Sequence, residues 1–176
     1  MSIRKIETTP SPVLRQKAKE VGVINKKIKK LIADMTETMT KSSGIGIAAP
    51  QVGESIRLIV VELKGGKRSN GEEMPKFPLT VCINPKITKC SKETEISEEG
   101  CLSVPDIWGS VERFKEVEVL ATNEKGENIK IKASGLVARV FQHEIDHLEG
   151  VLYTDRVDYK TLHKINSKGE KIPFEI

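Results

Sequence analysis

Apolar residues fall on two helical stripes separated by a long stretch of strand-like patterning. Ile28, Leu31, Ile32, Met35 and Met39 recur every three or four residues from Asn25 to about Lys41, which predicts one amphipathic helix, with Asn25 placed to cap it and Ile24 to staple it. The segment Gly44-Ile-Gly-Ile-Ala-Ala-Pro-Gln51 that follows carries two glycines and a proline, which exclude a helix interior and suit an extended stretch that another backbone can approach. Ile56 to Leu63 and Leu79 to Asn84 are short and β-branched, the composition of buried strands, and Gly65 to Pro78 between them predicts an exposed loop. Val117, Val119 and Ala121 alternate with polar residues, as do Ile129, Ile131 and Ala133, and Asn123-Glu-Lys-Gly126 separates the two runs as a turn, so an antiparallel hairpin is expected. From Gly135 to Glu149 the period returns to that of a helix, through Leu136, Val140 and Ile145, with Gly150 as its stop. Strands in the middle and helices toward the ends, without βαβ alternation, predict an α+β fold: mainly antiparallel strands around a central helix, in one domain spanning residues 1–176.

Composition narrows the class. Hydrophobic residues at 38% and charged residues at 31% exclude a disordered or fibrous chain, and no apolar run approaches the roughly 20 residues that cross a bilayer. No membrane partner is therefore expected. Three cysteines, Cys82, Cys90 and Cys101, are too few and too odd for a disulfide framework, which points to a reducing cytoplasm. A net charge of +4 falls short of a dedicated nucleic-acid binder, so no sequence-specific nucleic acid is expected as a partner. The charge is unevenly spread: seven basic residues stand against Glu20 between Arg15 and Lys30, a solvated face or a surface for something anionic.

The chemistry concentrates in His143-Glu-Ile-Asp-His147, which fits His-Glu-x-x-His inside the second predicted helix. Residues four apart project from one helix face roughly 6 Å apart along the axis, so both imidazoles can reach one metal ion while Glu144 faces its open position. A catalytic metal needs a third protein ligand. His163 lies in a lysine-rich stretch and Glu149 falls off the ligand face, so Cys101, in Glu98-Glu-Gly-Cys-Leu-Ser103, is the better candidate. There Gly100 permits an unusual turn and Leu102 offers a backbone N–H. Cys82 and Cys90, in or beside strand-like segments, are read as small buried hydrophobes.

With these residues in view the chain resembles the peptide deformylases, metal hydrolases that remove the N-formyl group from nascent polypeptides. Gly44-Ile-Gly-Ile-Ala-Ala-Pro-Gln51, Glu99-Gly-Cys-Leu-Ser103 and Gln142-His-Glu-Ile-Asp-His147 are similar to the three motifs of that family, in family order. The resemblance implies that Cys101, His143 and His147 hold one divalent metal ion per chain, usually Fe2+, with Zn2+, Ni2+ or Co2+ as substitutes. It implies that Glu144 is the catalytic acid–base and that Gln51 and the Leu102 N–H bind the reacting oxygen. The Gly44, Ile45 and Gly46 backbone would pair with N-formylmethionyl nascent peptides, and Ile45, Leu136, Arg139 and Val140 would surround the methionine side chain. Arg139 is expected to bury its methylenes and point its charge outward. Trp108 is expected at the wall or rim. Lys160, Lys164 and Lys168, four apart, would form one basic stripe if helical, either a solvated face or a surface of the kind with which family members dock on the ribosome. The competing readings are a metallopeptidase built on the same helix, which would favour a third ligand downstream of His147, and a basic RNA- or ribosome-binding module, which would need four protein ligands around a structural metal.

Overall fold

The computed structural model describes residues 2–67, 71, 73–166 and 170–174. In chain order it places α1 (Lys26–Lys41), β1 (Gly46–Ala48), β2 (Leu58–Lys67), β3 (Glu73–Cys90), β4 (Thr94–Cys101), β5 (Val104–Phe114), β6 (Glu116–Thr122), β7 (Asn128–Ser134), α2 (Gly135–Leu148), β8 (His163–Ile165) and β9 (Lys171–Pro173). Two antiparallel sheets result, one ordered β1-β2-β3-β6-β7 and the other β4-β5-β8-β9. The α+β expectation holds, as do both helices and the β6–β7 hairpin. Asn25 caps α1 as predicted, its side chain accepting from the backbone N–H groups of Lys27 and Ile28.

β2 shows how one run of residues serves two layers. Its Leu58 and Val60 face α1, where Leu31, Ile32, Met35 and Met39 cover them. Ile59, Val61 and Leu63 face the other way and pack on α2 through Val137, Phe141 and Leu148. A strand buried on both faces reads as a continuous apolar run, which is why its period of two is invisible in the sequence.

Four expectations are corrected. Gly65 to Pro78 is not a loop throughout: β2 continues to Lys67 and β3 starts at Glu73, with Leu63 opposite Phe77 and Gly66 opposite Met74. This part of β3 pairs with β2 alone, since its pairing with β6 begins at Ile83, so Pro75 and Pro78 lie where a missing N–H is tolerated. The end of the glycine motif is not extended either, because Ala49–Val52 forms a 3-10 turn. Lys160 and Lys164 do not share a helix: Tyr159–Thr161 is a 3-10 turn and Lys164 lies in β8, which takes the free edge of β5 opposite Ile107. Lys168 lies outside the described residues. Cys82 is buried in the core, whereas Cys90 is exposed at the end of β3.

Phe141 is the largest side chain that α2 drives into the first sheet, fully buried and edge-on to Phe77 at 5.7 Å. Phe141→Ala should cost about 3–5 kcal/mol, through lost burial and the cavity left behind. The measurement is the urea midpoint of the variant against wild type at constant slope.

Candidate active site and metal centre

Each motif reaches the site from a different element. Glu144, His143 and His147 project from α2, Cys101 ends β4, and Gln51 stands in the 3-10 turn after β1. The ligand atoms of Cys101, His143 and His147 lie within 4.8 Å of one another, with the Cys101 sulfur 3.2 Å from His147 Nε2. Neither Glu149, which pairs with Arg57 and Lys17, nor His163, in β8, joins them.

The donor chemistry suits a soft or borderline cation. Burial resists ionisation of the Cys101 thiol, but His147 and His143 outweigh it and hold the group well below its usual value. Burial likewise opposes charge on His143, and Cys101 and Glu99 overcome it. A thiol held toward its thiolate form and two imidazoles gathered this way are donors that suit a divalent cation of the zinc or iron type. His143 Nδ1 is already committed, 2.9 Å from Glu99 Oε2. Glu99 is itself held ionised: burial favours its neutral form, and the hydrogen bonds from His143 and Arg113 outweigh that, keeping it well below the usual carboxylate range. An ionised carboxylate only accepts, so Nδ1 carries the proton and Nε2 is left to act as ligand.

Glu144 sits against this group with no ion-pair partner among the described residues. It is buried, and Oε2 has no hydrogen-bond partner among the described residues. Burial pushes its carboxyl up to about 7, against the opposing pull of His143 and His147. Its carboxylate lies directly on Gly46, where a Cβ would collide with it, so the glycine of the first motif makes room for the acid of the third. Gln51 is oriented by its own turn. Its Oε1 accepts from the Ala48 N–H at 2.8 Å, leaving Nε2 aimed at Ser103 Oγ (3.3 Å) and the Cys101 sulfur (3.5 Å).

Gln51, Glu99, Cys101, His143 and Glu144 border a cleft of about 520 Å³. Gly44, Ile45, Gly46, Gln51, Leu102, Leu136, Val140 and the stem of Arg139 all line it, as does Trp108. One expectation fails in detail. The Arg139 charge is buried and not turned to solvent, donating to Glu99 Oε1 and the Val111 carbonyl. Sequence reasoning missed Glu99 and Arg113 altogether. Glu99 was visible beside Cys101 in the second motif, and Arg113 carried no signal.

A cysteine and two helical histidines with their ligand atoms within 4.8 Å of one another, an acid beside them and an amide donor lining the same cleft are a donor set that suits a metal-dependent hydrolase. The Polypeptide deformylase family model matches residues 3–163. The peptide deformylase of Syntrophobacter fumaroxidans is 46% identical, covering 97% of this chain and 96% of its own, and that of Symbiobacterium thermophilum is also 46% identical, covering 97% and 73%. Among solved structures, the Thermotoga maritima peptide deformylase superposes with a TM-score of 0.80 at 42% identity, covering 90% of this chain and 99% of its own. The class I type b enzyme of Acinetobacter baumannii with Met-Ala-Ser bound gives 0.83 at 35%, covering 89% and 100%. The chain belongs to the polypeptide deformylase family, whose members remove the N-formyl group from nascent peptides.

Because the nearest atoms to a Cβ at Gly46 all belong to the Glu144 side chain, Gly46→Ala should displace that carboxylate while the sheet still forms. Formate release should drop at least about 100-fold, with a melting temperature close to wild type. Steady-state kinetics and a thermal melt on the same preparation check both halves.

Proposed function

We propose that Cys101, His143 and His147 hold one divalent metal ion, Fe2+ by preference with Zn2+, Ni2+ or Co2+ as substitutes, and that Glu144, Gln51 and the Leu102 N–H carry the hydrolysis. One juxtaposition supports the reading above all: a buried carboxylate with an unpartnered oxygen stands beside three gathered soft and borderline donors at the wall of a cleft. When bound, the metal supplies a Lewis acid that lowers the pKa of water to about 7. Glu144 takes up the proton released as water adds to the formyl carbon and returns it to the departing amine, so that formate and a free N-terminus result. Gln51 Nε2 and the Leu102 N–H donate to the formyl oxygen as charge gathers on it, each worth about 3 kcal/mol in a dry site.

The backbone from Gly44 to Gly46 receives the substrate main chain as an added strand, which suits a substrate class defined by its terminus and not by its sequence. Ile45, Leu136 and Val140 wall the methionine side chain, with only the aliphatic stem of Arg139 contributing. Work on nascent chains supports a cytoplasmic location as part of this reading. No described helix is long and apolar enough to cross a membrane. Docking on the ribosome through basic surface segments belongs to the same proposal. Of the basic residues between Arg15 and Lys30, Arg15, Lys17 and Lys30 pair with acids of this chain, and Lys26, Lys27 and Lys29 lie exposed on α1.

Glu144→Gln should retain metal and fold but lose about 100- to 10,000-fold in formate release from formyl-Met-Ala-Ser, because the ligands stay while the proton relay goes. Near-wild-type release by this variant would overturn the role given to Glu144. Cys101→Ser should lose Fe2+, Ni2+ and Co2+ on dialysis against a chelator that leaves wild type loaded, since a serine hydroxyl is not deprotonated near neutral pH. Metal content by mass spectrometry is the check, and full retention would remove Cys101 from the ligand set.

A further inference from the structure

Arg139 lines the cleft but spends its charge on buried protein acceptors, and what it binds joins two of the three ligand-bearing positions. It lies one turn before His143 on α2, so both side chains point to the same side of the helix. Both end on one carboxylate: Arg139 Nη1 donates to Glu99 Oε1 at 2.9 Å, and His143 Nδ1 lies 2.9 Å from Glu99 Oε2. Glu99 stands two residues before Cys101 on β4. The same guanidinium donates to the carbonyls of Val111 (2.8 Å), Glu95 (2.7 Å) and, more weakly, Ser97 (3.5 Å), which belong to β5 and β4. Its side chain is only 6% exposed, so these bonds are made away from water.

We propose that Arg139 is a positioning residue for the metal centre and not a specificity residue for substrate. Its fork fixes the spacing between α2, which carries His143 and His147, and β4, which carries Cys101, and its bond to Oε1 leaves Oε2 turned to His143. Arg113 grips Glu99 through Nε and Nη2, but it comes from β5 and reaches α2 only at Asp146. Arg139 links the helix directly to the backbone of both β4 and β5 one turn before the first histidine, whereas Gln142 reaches β5 alone, at Phe114. The inference rests on the ligand set proposed above.

The test uses Co2+ added anaerobically to the metal-free full-length protein. It reads the thiolate-to-cobalt charge-transfer band, the Co2+ dissociation constant by chelator competition, and KM and kcat for formyl-Met-Ala-Ser. Arg139→Met should weaken Co2+ binding by about 10- to 100-fold and shift the band, as loss of an outer partner of a ligand does. KM should stay within about twofold of wild type, since the cleft keeps an apolar stem of similar length. Arg139→Lys should weaken binding less than Met but measurably, because an ammonium reaches one carboxylate oxygen and not the carbonyl set. Val60→Ala, which loosens the α1 side of the sheet, controls for stability, and its Co2+ affinity should stay near wild type.

An unchanged Co2+ affinity with a raised KM would overturn the proposal and return Arg139 to the substrate pocket. Equal weakening by Val60→Ala at the same loss of melting temperature would overturn it too. If Arg139→Met gives no cooperative melt, Arg139→Lys decides, and wild-type affinity in that variant overturns the proposal. A wild-type protein that binds Co2+ without a thiolate band would instead overturn the ligand set, and the positioning role with it.

Discussion

A single buried carboxylate holds the two halves of the molecule in register. Taking Glu99 out of water costs several kcal/mol, and an isolated ion in that place would simply take up a proton. Here it accepts four hydrogen bonds, two from Arg113 and one each from Arg139 and His143. Arg113 passes the link on to Asp146, which Arg156 grips from the solvent side. The arrangement is costly if incomplete and unforgiving of displacement, since removing any member leaves the others charged and dry. It is therefore a better guarantor of geometry than of stability. Apolar packing tolerates small slides, whereas this cluster tolerates few.

That distinction also explains what the sequence disclosed. Both helices, the cap at Asn25 and the β6–β7 hairpin were legible because their buried faces are apolar and recur at fixed periods. The β4–β5 hairpin was not. Its inward positions include Glu99 and Arg113 along with Val111, so part of the buried face is ionic and carries no hydrophobic period. Polar character alone made Gly65 to Pro78 look like a loop, although ladder bonding there needs no buried side chains, and Phe77 returns to pack on Phe141. The basic C-terminal residues were open to a helical reading until the free edge of β5 was known.

For the site the balance is different. The groups proposed to react announce themselves because metal ligation and proton transfer need particular residue types at particular spacings on a helix. The groups that hold them still do not, since an arginine or glutamate on a strand is ordinarily a surface residue. Arg139 is the instructive case: placed in the cleft wall by its position, it spends its charge on buried protein acceptors. Stem and charge of such a residue are separate facts, and only the tertiary neighbours decide the second.

Trp108, the sole tryptophan of the chain, lies flat over Gly100, so closely that a Cβ on that glycine would sit 2.8 Å from the indole ring. Gly100 adjoins Cys101, and the indole borders the cleft with two-fifths of its surface in solvent. The protein thus carries a single indole at the lip of the cleft. Excited at wavelengths that Tyr153 and Tyr159 do not absorb, its emission reports on that one place. Paramagnetic ions seated at the cysteine would quench it where zinc would not, so ion exchange, cleft filling and movement of the second sheet can be followed by light in unlabelled protein.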